Sequence, residues 1–444
     1  MLWEYGLESM SLIIFAFGIL NVTLSYFLLK KTSWIVILIQ SYWFFWMFIS
    51  SLSLTGLFIP SNFTYYLYIM LLSSLTIGVG LYRVYFTFKE KKQNVNEKSF
   101  SFFGIEEERK EFYYFVFILI FVFPIVLFFL LKSLYLNLSP DAMPPSLFRA
   151  HAFGVHGDSI LFGKNKYLYY YSLAINPMIL ATLFLGVGFY LSLEKKRILI
   201  LGSTLVAMDT LMMLGRFGFY YILIMLFLIL LIKFLRDRQS ILKLFTFPRL
   251  IGFGLVFILI FSIGTLRSSE KKIDVKEFIN VFIIDYHTES FSMFDHELKD
   301  KDSLLHERTY GRSSLGGIER GFSFLLGLFR IPFQFQVQSD LIGGYLHKNR
   351  LLGYTSDGQP KEYNAFGSVL FSLYKDGGIP FTLLLGTLFG FLISKYSQSM
   401  ISLKPFQLSI LASLLFIGIF GLFQPVLGGP ILLTILFIAV FSIL

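Results

Sequence analysis

The run FYYFVFILIFVFPIVLFFLLKSL, Phe112–Leu134, holds one charged residue, Lys132, in 23 positions. A helix that crosses a bilayer needs about 20 mostly apolar residues, so this run reads as a membrane span. Comparable runs recur outward from it in both directions. Towards the N-terminus they are Ser11–Leu29, Trp34–Ile59 and Phe63–Phe88. Towards the C-terminus they are Tyr167–Leu193, Ile198–Leu214, Phe217–Leu235, Leu250–Leu266, Ile379–Tyr396, Phe406–Gln424 and Pro430–Leu444. By the length rule this makes about eleven spans. The expected fold is therefore an all-α polytopic integral membrane protein.

Composition points the same way. Of 444 residues, 55% are hydrophobic, 19% aromatic and only 15% charged, where a soluble chain averages about a quarter charged. Disorder and a soluble multi-domain enzyme are excluded on these grounds. With no Cys in the sequence, disulfides, Cys-ligated zinc, iron–sulfur clusters and thiol nucleophiles are excluded too. The net charge of +10 is read as a topology signal and as contacts to anionic membrane lipids, not to nucleic acid. The first apolar run lacks a basic leader and a small-residue cleavage site, so it is expected to be a retained span.

Basic residues alternate between loops. Lys30, Lys31, Lys89, Lys91, Lys92, Lys195, Lys196, Arg197, Arg236 and Arg238 fall on one side, and the positive-inside rule makes that side cytoplasmic. The N-terminus is then expected outside and the C-terminus inside. Three regions result: residues 1–266, a transmembrane bundle of about eight spans with an outer loop at 135–166; residues 267–378, a large outer loop with amphipathic helices; and residues 379–444, the C-terminal spans. Polar segments as long as the second are usually functional.

Several residues invite chemistry. Arg216, in Leu214-Gly215-Arg216-Phe217, sits in a very short turn between two spans. Its guanidinium suits phosphate oxygens, although a snorkelling anchor would look the same. Arg83 lies within a span but near the inner Lys89, which favours snorkelling. Apolar positions Val275, Phe278, Ile279, Phe282, Tyr286 and Met293 have helical spacing and predict a helix at the membrane surface. That helix would put Asp285, Glu289 and His296 on one face. A carboxylate there could act as general base for a sugar hydroxyl; the alternative is a solvated polar face. The loop Arg308-Thr309-Tyr310-Gly311-Arg312-Ser313-Ser314, continuing through Glu319 and Arg320, could clamp a diphosphate through guanidinium and backbone N–H groups, or rest against headgroups. Strict alternation over Phe333–Gln338 predicts a short strand or hairpin arm. His151, His156 and Asp158 have a spacing that could be offered as a metal site, but neither a helical HExxH nor any Cys supports it, and no metal is expected; Arg149 beside them could contact an acidic group.

The stretch Tyr363-Asn364-Ala365-Phe366-Gly367-Ser368 through Tyr374-Lys375-Asp376-Gly377-Gly378 resembles the Asn…Tyr-x-Asp-Phe-Gly signature that precedes a late span in Wzy-type O-antigen polymerases, the oligosaccharide repeat-unit polymerases. Gly377 stands where the family more often has Phe. Three further elements are similar: the Gly215-Arg216 turn before a Leu-rich span; Tyr286, Glu289, Ser290, Phe294 and Asp295 at the start of the large loop; and Gly353-Tyr354-Thr355. So is the plan of many spans with one large outer loop.

The resemblance implies a GT-C-like membrane glycosyltransferase of lipopolysaccharide biosynthesis in a bacterial inner membrane, with its active site facing the periplasm. Its substrates would be undecaprenyl-diphosphate-linked glycans as donor and acceptor, and its partners a flippase and a chain-length regulator. No cofactor is implied. The leaving diphosphate needs fixed cations, and Arg216, Arg312 and Arg320 are the candidates. An inverting displacement also needs a base; Glu289 is the first choice and His287 the second. Arg149, Tyr310, Asn364, Tyr374 and Asp376 are expected to bind or orient substrate. An O-antigen ligase is the nearest alternative, but Glu362-Tyr363-Asn364 lacks the His-x-His-Asn element expected there. A transporter or lipid flippase is the other, supported mainly by Asp209 within a span. Against it, no Gly- or Pro-broken pair of spans repeats between the two halves.

Overall fold

The computed structural model of the chain describes residues 9–92, 103–155, 157–236, 276, 279–331, 337–364 and 367–443. Elements in chain order are α1 (Ser9–Leu29), α2 (Trp34–Ser51), α3 (Asn62–Lys92), α4 (Phe103–Phe121), α5 (Phe123–Leu138), α6 (Pro145–Ala152), α7 (Asn165–Tyr170), α8 (Asn176–Leu193), α9 (Arg197–Met212) and α10 (Phe217–Arg236). Then follow α11 (Tyr286–Lys299), α12 (Gly316–Leu328), α13 (Gln338–Leu346), the hairpin β1 (Arg350–Tyr354) and β2 (Pro360–Tyr363), α14 (Val369–Ser397), α15 (Pro405–Phe420) and α16 (Ile431–Ile443). The chain is mostly helical, as an all-α multi-pass membrane protein should be. Among the described residues seven helices are long and apolar enough to cross a membrane: Ser9–Thr32, Trp34–Ser51, Asn62–Phe88, Glu106–Leu138, Asn165–Leu193, Phe217–Arg236 and Val369–Ser402. The expected spans Ile198–Leu214, Phe406–Gln424 and Pro430–Leu444 correspond to the shorter helices α9, α15 and α16. Leu250–Leu266 lies outside the described residues.

The chain packs as two compact units. The first comprises Met1–Glu97, Asp274–Gln398 and Leu414–Leu432; the second comprises Lys98–Ile273, Ser399–Ser413 and Leu433–Leu444.

In the first unit α3 and α14 pack backbone to backbone. Gly386 and Gly390, one turn apart, meet Ser74 and Leu75 of α3, and Gly78 meets Thr387 and Phe391 of α14; a Cβ at any of the three would collide. This is small-residue packing, in which close approach maximises van der Waals contact where lipid offers no hydrophobic drive. Polar side chains join α1, α2 and α3 in a closed set. Ser25 donates to Gln40 Oε1 (3.0 Å), Gln40 Nε2 to Thr76 Oγ1 (2.7 Å) and Thr76 to Asn21 Oδ1 (2.5 Å). In the second unit α8 and α9 repeat the theme, with Gly186 against Leu199 and Gly202 against Leu183.

One boundary differs from expectation. The late span was expected to begin at Ile379, but α14 begins at Val369, where Ser368 caps it by accepting from Leu370 N–H (3.2 Å). The helix breaks at Gly377 and Gly378 and restarts at Ile379-Pro380. Gly378 has φ +65°, open to glycine at little cost, and Pro suits a helix start because its missing N–H would be unpaired there. Gly-Gly-Ile-Pro therefore marks a break between two half-helices.

Candidate functional site

The long polar segment is built around α11. Residues Ile279–Asp285 form a wide π-type turn leading into it, and such turns recur at functional sites. The expected surface helix with a solvated face is not what forms. From Thr288 to Asp295 every residue is buried, Glu289 and Asp295 included. Phe291 and Phe294 set their rings edge-on to Tyr68 of α3, at 4.8 and 5.7 Å. Asp295 accepts from Ser61 N–H (2.9 Å), Ser61 Oγ (2.5 Å), Thr64 Oγ1 (2.7 Å) and Lys299 Nζ (2.5 Å). It thus takes one backbone N–H and two hydroxyls at the start of α3 from a distant helix. Burial pushes its carboxyl up, but these bonds outweigh it and hold it below its ordinary value.

The three residues predicted to share one face of this helix are separated by environment. Asp285 is fully buried and pairs through Oδ2 with Lys361 Nζ (2.7 Å) and Tyr363 Oη (2.7 Å) of β2. Burial, then the Asp285 charge, raise the Tyr363 phenol above its ordinary value, so it stays a donor. Glu289 is 7% exposed, one turn further on, and its charge also acts on Tyr363. His296 points outward. His287 is packed among rings: stacked on Trp46 at 4.0 Å, edge to Tyr42 at 5.9 Å and to Phe423 at 4.8 Å. Its Nδ1 hydrogen-bonds the Ile283 carbonyl (2.6 Å). Burial lowers its pKa to about 4 against the help of that bond, so at neutral pH the ring is uncharged and a weak base.

The loop at 308–314 folds around Asp376, which is fully buried at the end of the first half-helix of α14. Its carboxylate accepts from Thr309 Oγ1 (2.6 Å), Ser313 N–H (2.9 Å) and Ser314 N–H (2.7 Å). The Tyr310 N–H bonds the Asp376 carbonyl (3.0 Å). Tyr310 and Gly311 both have positive φ, 51° and 95°. The result is an anion-binding concavity of backbone N–H groups whose anion is the chain's own Asp376. The expectation that these N–H groups receive a diphosphate is corrected by this geometry. Asp376 likewise is a loop organiser with no surface open to a sugar.

The guanidiniums divide. Arg312 grips Glu319 Oε1 through Nε (2.7 Å) and Nη2 (2.5 Å), and Arg320 pairs with Asp340. Arg308, present in the same loop but not singled out from sequence, donates to the Tyr374 carbonyl. Its guanidinium lies over the Tyr374 ring at 4.9 Å and against Gly378, where α14 restarts. Tyr374 is half-buried, Tyr310 is 86% exposed and Asn364 is exposed after β2. The Gly353-Tyr354 element is docked as a third strand position. Tyr354 N–H bonds the Gly56 carbonyl (3.0 Å), and Phe58 N–H bonds the Leu352 carbonyl (2.8 Å).

In the second unit, α9 ends at Met212, Leu214 with φ +47° and Gly215 follow it, and half-buried Arg216 directly precedes α10. Arg149 Nη1 donates to the Met213 carbonyl (2.9 Å) beside Gly215, so Arg149 is tied to the turn that precedes Arg216. Asp209 accepts from Tyr171 Oη (2.6 Å) and Asn176 Nδ2 (3.4 Å), a helix–helix hydrogen bond. His156 and the alternating stretch at 333–336 lie outside the described residues; Gln338, its last member, is helical in α13. No family model, curated protein or solved structure matches the chain.

Proposed function

We propose that this protein polymerises undecaprenyl-diphosphate-linked repeat units into O-antigen or a related surface polysaccharide, as a Wzy-type, GT-C-like glycosyltransferase of about eleven spans. It works in the bacterial inner membrane with its active site towards the periplasm. The observation that carries this reading is Arg308 at the break in α14. A guanidinium held against Gly378 adds a full charge to the partial positive end of an apolar half-helix. A lipid-linked diphosphate, with its tail in apolar surroundings and its charge at the end of a helix, suits that combination.

In the reaction a hydroxyl of the acceptor's non-reducing-end sugar attacks the donor's anomeric carbon. The bond from that carbon to the diphosphate oxygen breaks, and the electron pair leaves with the diphosphate. The proton passes to the Glu289 carboxylate. Arg308 stabilises the leaving charge; Arg216 is a separate candidate for holding a lipid-linked diphosphate in the second unit. Arg312 and Arg320 hold the loop through Glu319 and Asp340.

A surface-polysaccharide gel of a strain lacking the gene tests this. Loss of the ladder, leaving a single repeat on the core, supports polymerase. Core with no repeat supports ligase or flippase, and an unchanged ladder rejects all three and favours a transporter, in keeping with the carboxylate of Asp209. In the restored strain, Arg308→Ala and Arg216→Ala should each abolish the ladder while the protein still inserts. The Lys variants should rescue poorly, because a point charge lacks the bidentate fork.

A further inference from the structure

Helix α12 turns an apolar stripe outward. Leu315, Ile318, Phe322, Leu325 and Phe329 are 50%, 49%, 56%, 50% and 75% exposed. Their spacing of three and four residues keeps them on one side of the helix. The flank and back of the helix are locked. Glu319 takes Arg312 on one oxygen and the Gln338 N–H (2.9 Å) on the other, and Arg320 takes Asp340. The helix therefore cannot roll to bury its stripe without breaking both ion pairs.

Two contacts set its depth. Gly316 and Gly317 press against Gly428 and Gly429, in the turn that joins the apolar helices α15 and α16. The stripe also begins beside α14: Phe381 and Leu315 both flank Gly311. The outward residues Ile379, Leu384 and Leu388 of that long apolar helix are 39%, 62% and 48% exposed. The stripe thus continues an apolar face that already belongs to a candidate membrane span.

We infer that α12 lies in the membrane interface, its stripe sunk among the lipid acyl chains. An apolar face with aromatic rings on one side and charge on the other is the pattern of helices that lie in the plane of the bilayer. The consequence is positional. The Arg308–Ser314 loop, directly N-terminal to α12, is held at headgroup depth, where the charged group of any lipid-linked molecule sits.

The absence of Cys from the sequence makes the test direct. Phe322→Cys and Leu325→Cys, spin-labelled in the full chain and reconstituted into phosphatidylcholine vesicles, are compared by collision with oxygen and with a water-soluble nickel chelate. Leu384→Cys on α14 and Asp357→Cys in the exposed hairpin turn are the references. The oxygen-to-nickel ratio at 322 and 325 should match that at 384 and exceed that at 357 several-fold. A ratio equal to that at 357 would place the stripe in water, and low collision with both reagents would place it under protein; either overturns the inference. A water-like label at 384 would overturn the membrane reading and this inference with it. No substrate is needed, so the result is independent of the proposed enzyme activity.

Discussion

Helices α11 and α12 come from the same polar segment and end in opposite surroundings. Helix α11 carries Glu289, Asp295 and Glu297, yet nine of its fourteen residues are buried. Helix α12 is richer in Leu, yet it leaves Phe322 and Leu325 half exposed. The difference is one of partners. Each buried acid of α11 with a described bond meets donors from elsewhere: Asp295 meets Ser61 and Thr64, and Glu297 meets Tyr345 (2.7 Å), Ser303 and Arg350. A buried charge is tolerated when its oxygens are satisfied. Among the described residues the α12 stripe stays exposed, and lipid would serve it as well as protein.

Truncating a ring on α11 should give the largest effect. Phe294 is fully buried between Tyr68 (5.7 Å) and Tyr374 (5.9 Å). Phe294→Ala should destabilise the first unit by about 3–5 kcal/mol, the usual cost of removing a core ring. Denaturation of the purified protein in detergent would register this as an early transition. A change below that of the α12 variant described last would break the contrast.

The next effect isolates the distant cap. Asp295→Ala strips the start of α3 of its acceptor and should cost about 1–2 kcal/mol, the upper part of the range for helix caps. Asp295→Asn keeps one acceptor oxygen and should cost less. Equal losses for both variants would mean that the charge and its Lys299 partner matter more than the cap.

These partners explain what could be read from sequence. Seven of the expected spans were legible because apolar length is a local property, and the break in α14 was present in Gly377-Gly378-Ile379-Pro380. The Gly386-Thr387-Leu388-Phe389-Gly390 pattern was a legible packing signal that composition alone passes over. The pairings of Asp295 with Ser61, Asp285 with Lys361 and Asp376 with Ser313 were not legible. They join residues far apart in sequence, and nothing local distinguishes a carboxylate awaiting such donors from one awaiting a substrate. Hence Asp376 and the 308–314 amides looked like binding groups and prove to satisfy one another. Arg308 was visible in the same loop, but only the fold sets it against Gly378.

The smallest effect is the most discriminating. Phe322 is as large as Phe294 and lies on a helix of similar length, but half its surface is already exposed. Phe322→Ala removes few protein contacts, so in detergent its cost should stay within about 0.5 kcal/mol, as for substitutions away from packed features. Ala is also the better helix former, which offsets part of any loss. A loss comparable to that of Phe294→Ala would mean that the ring is covered by protein in solution, and the two helices would then differ in partner and not in medium.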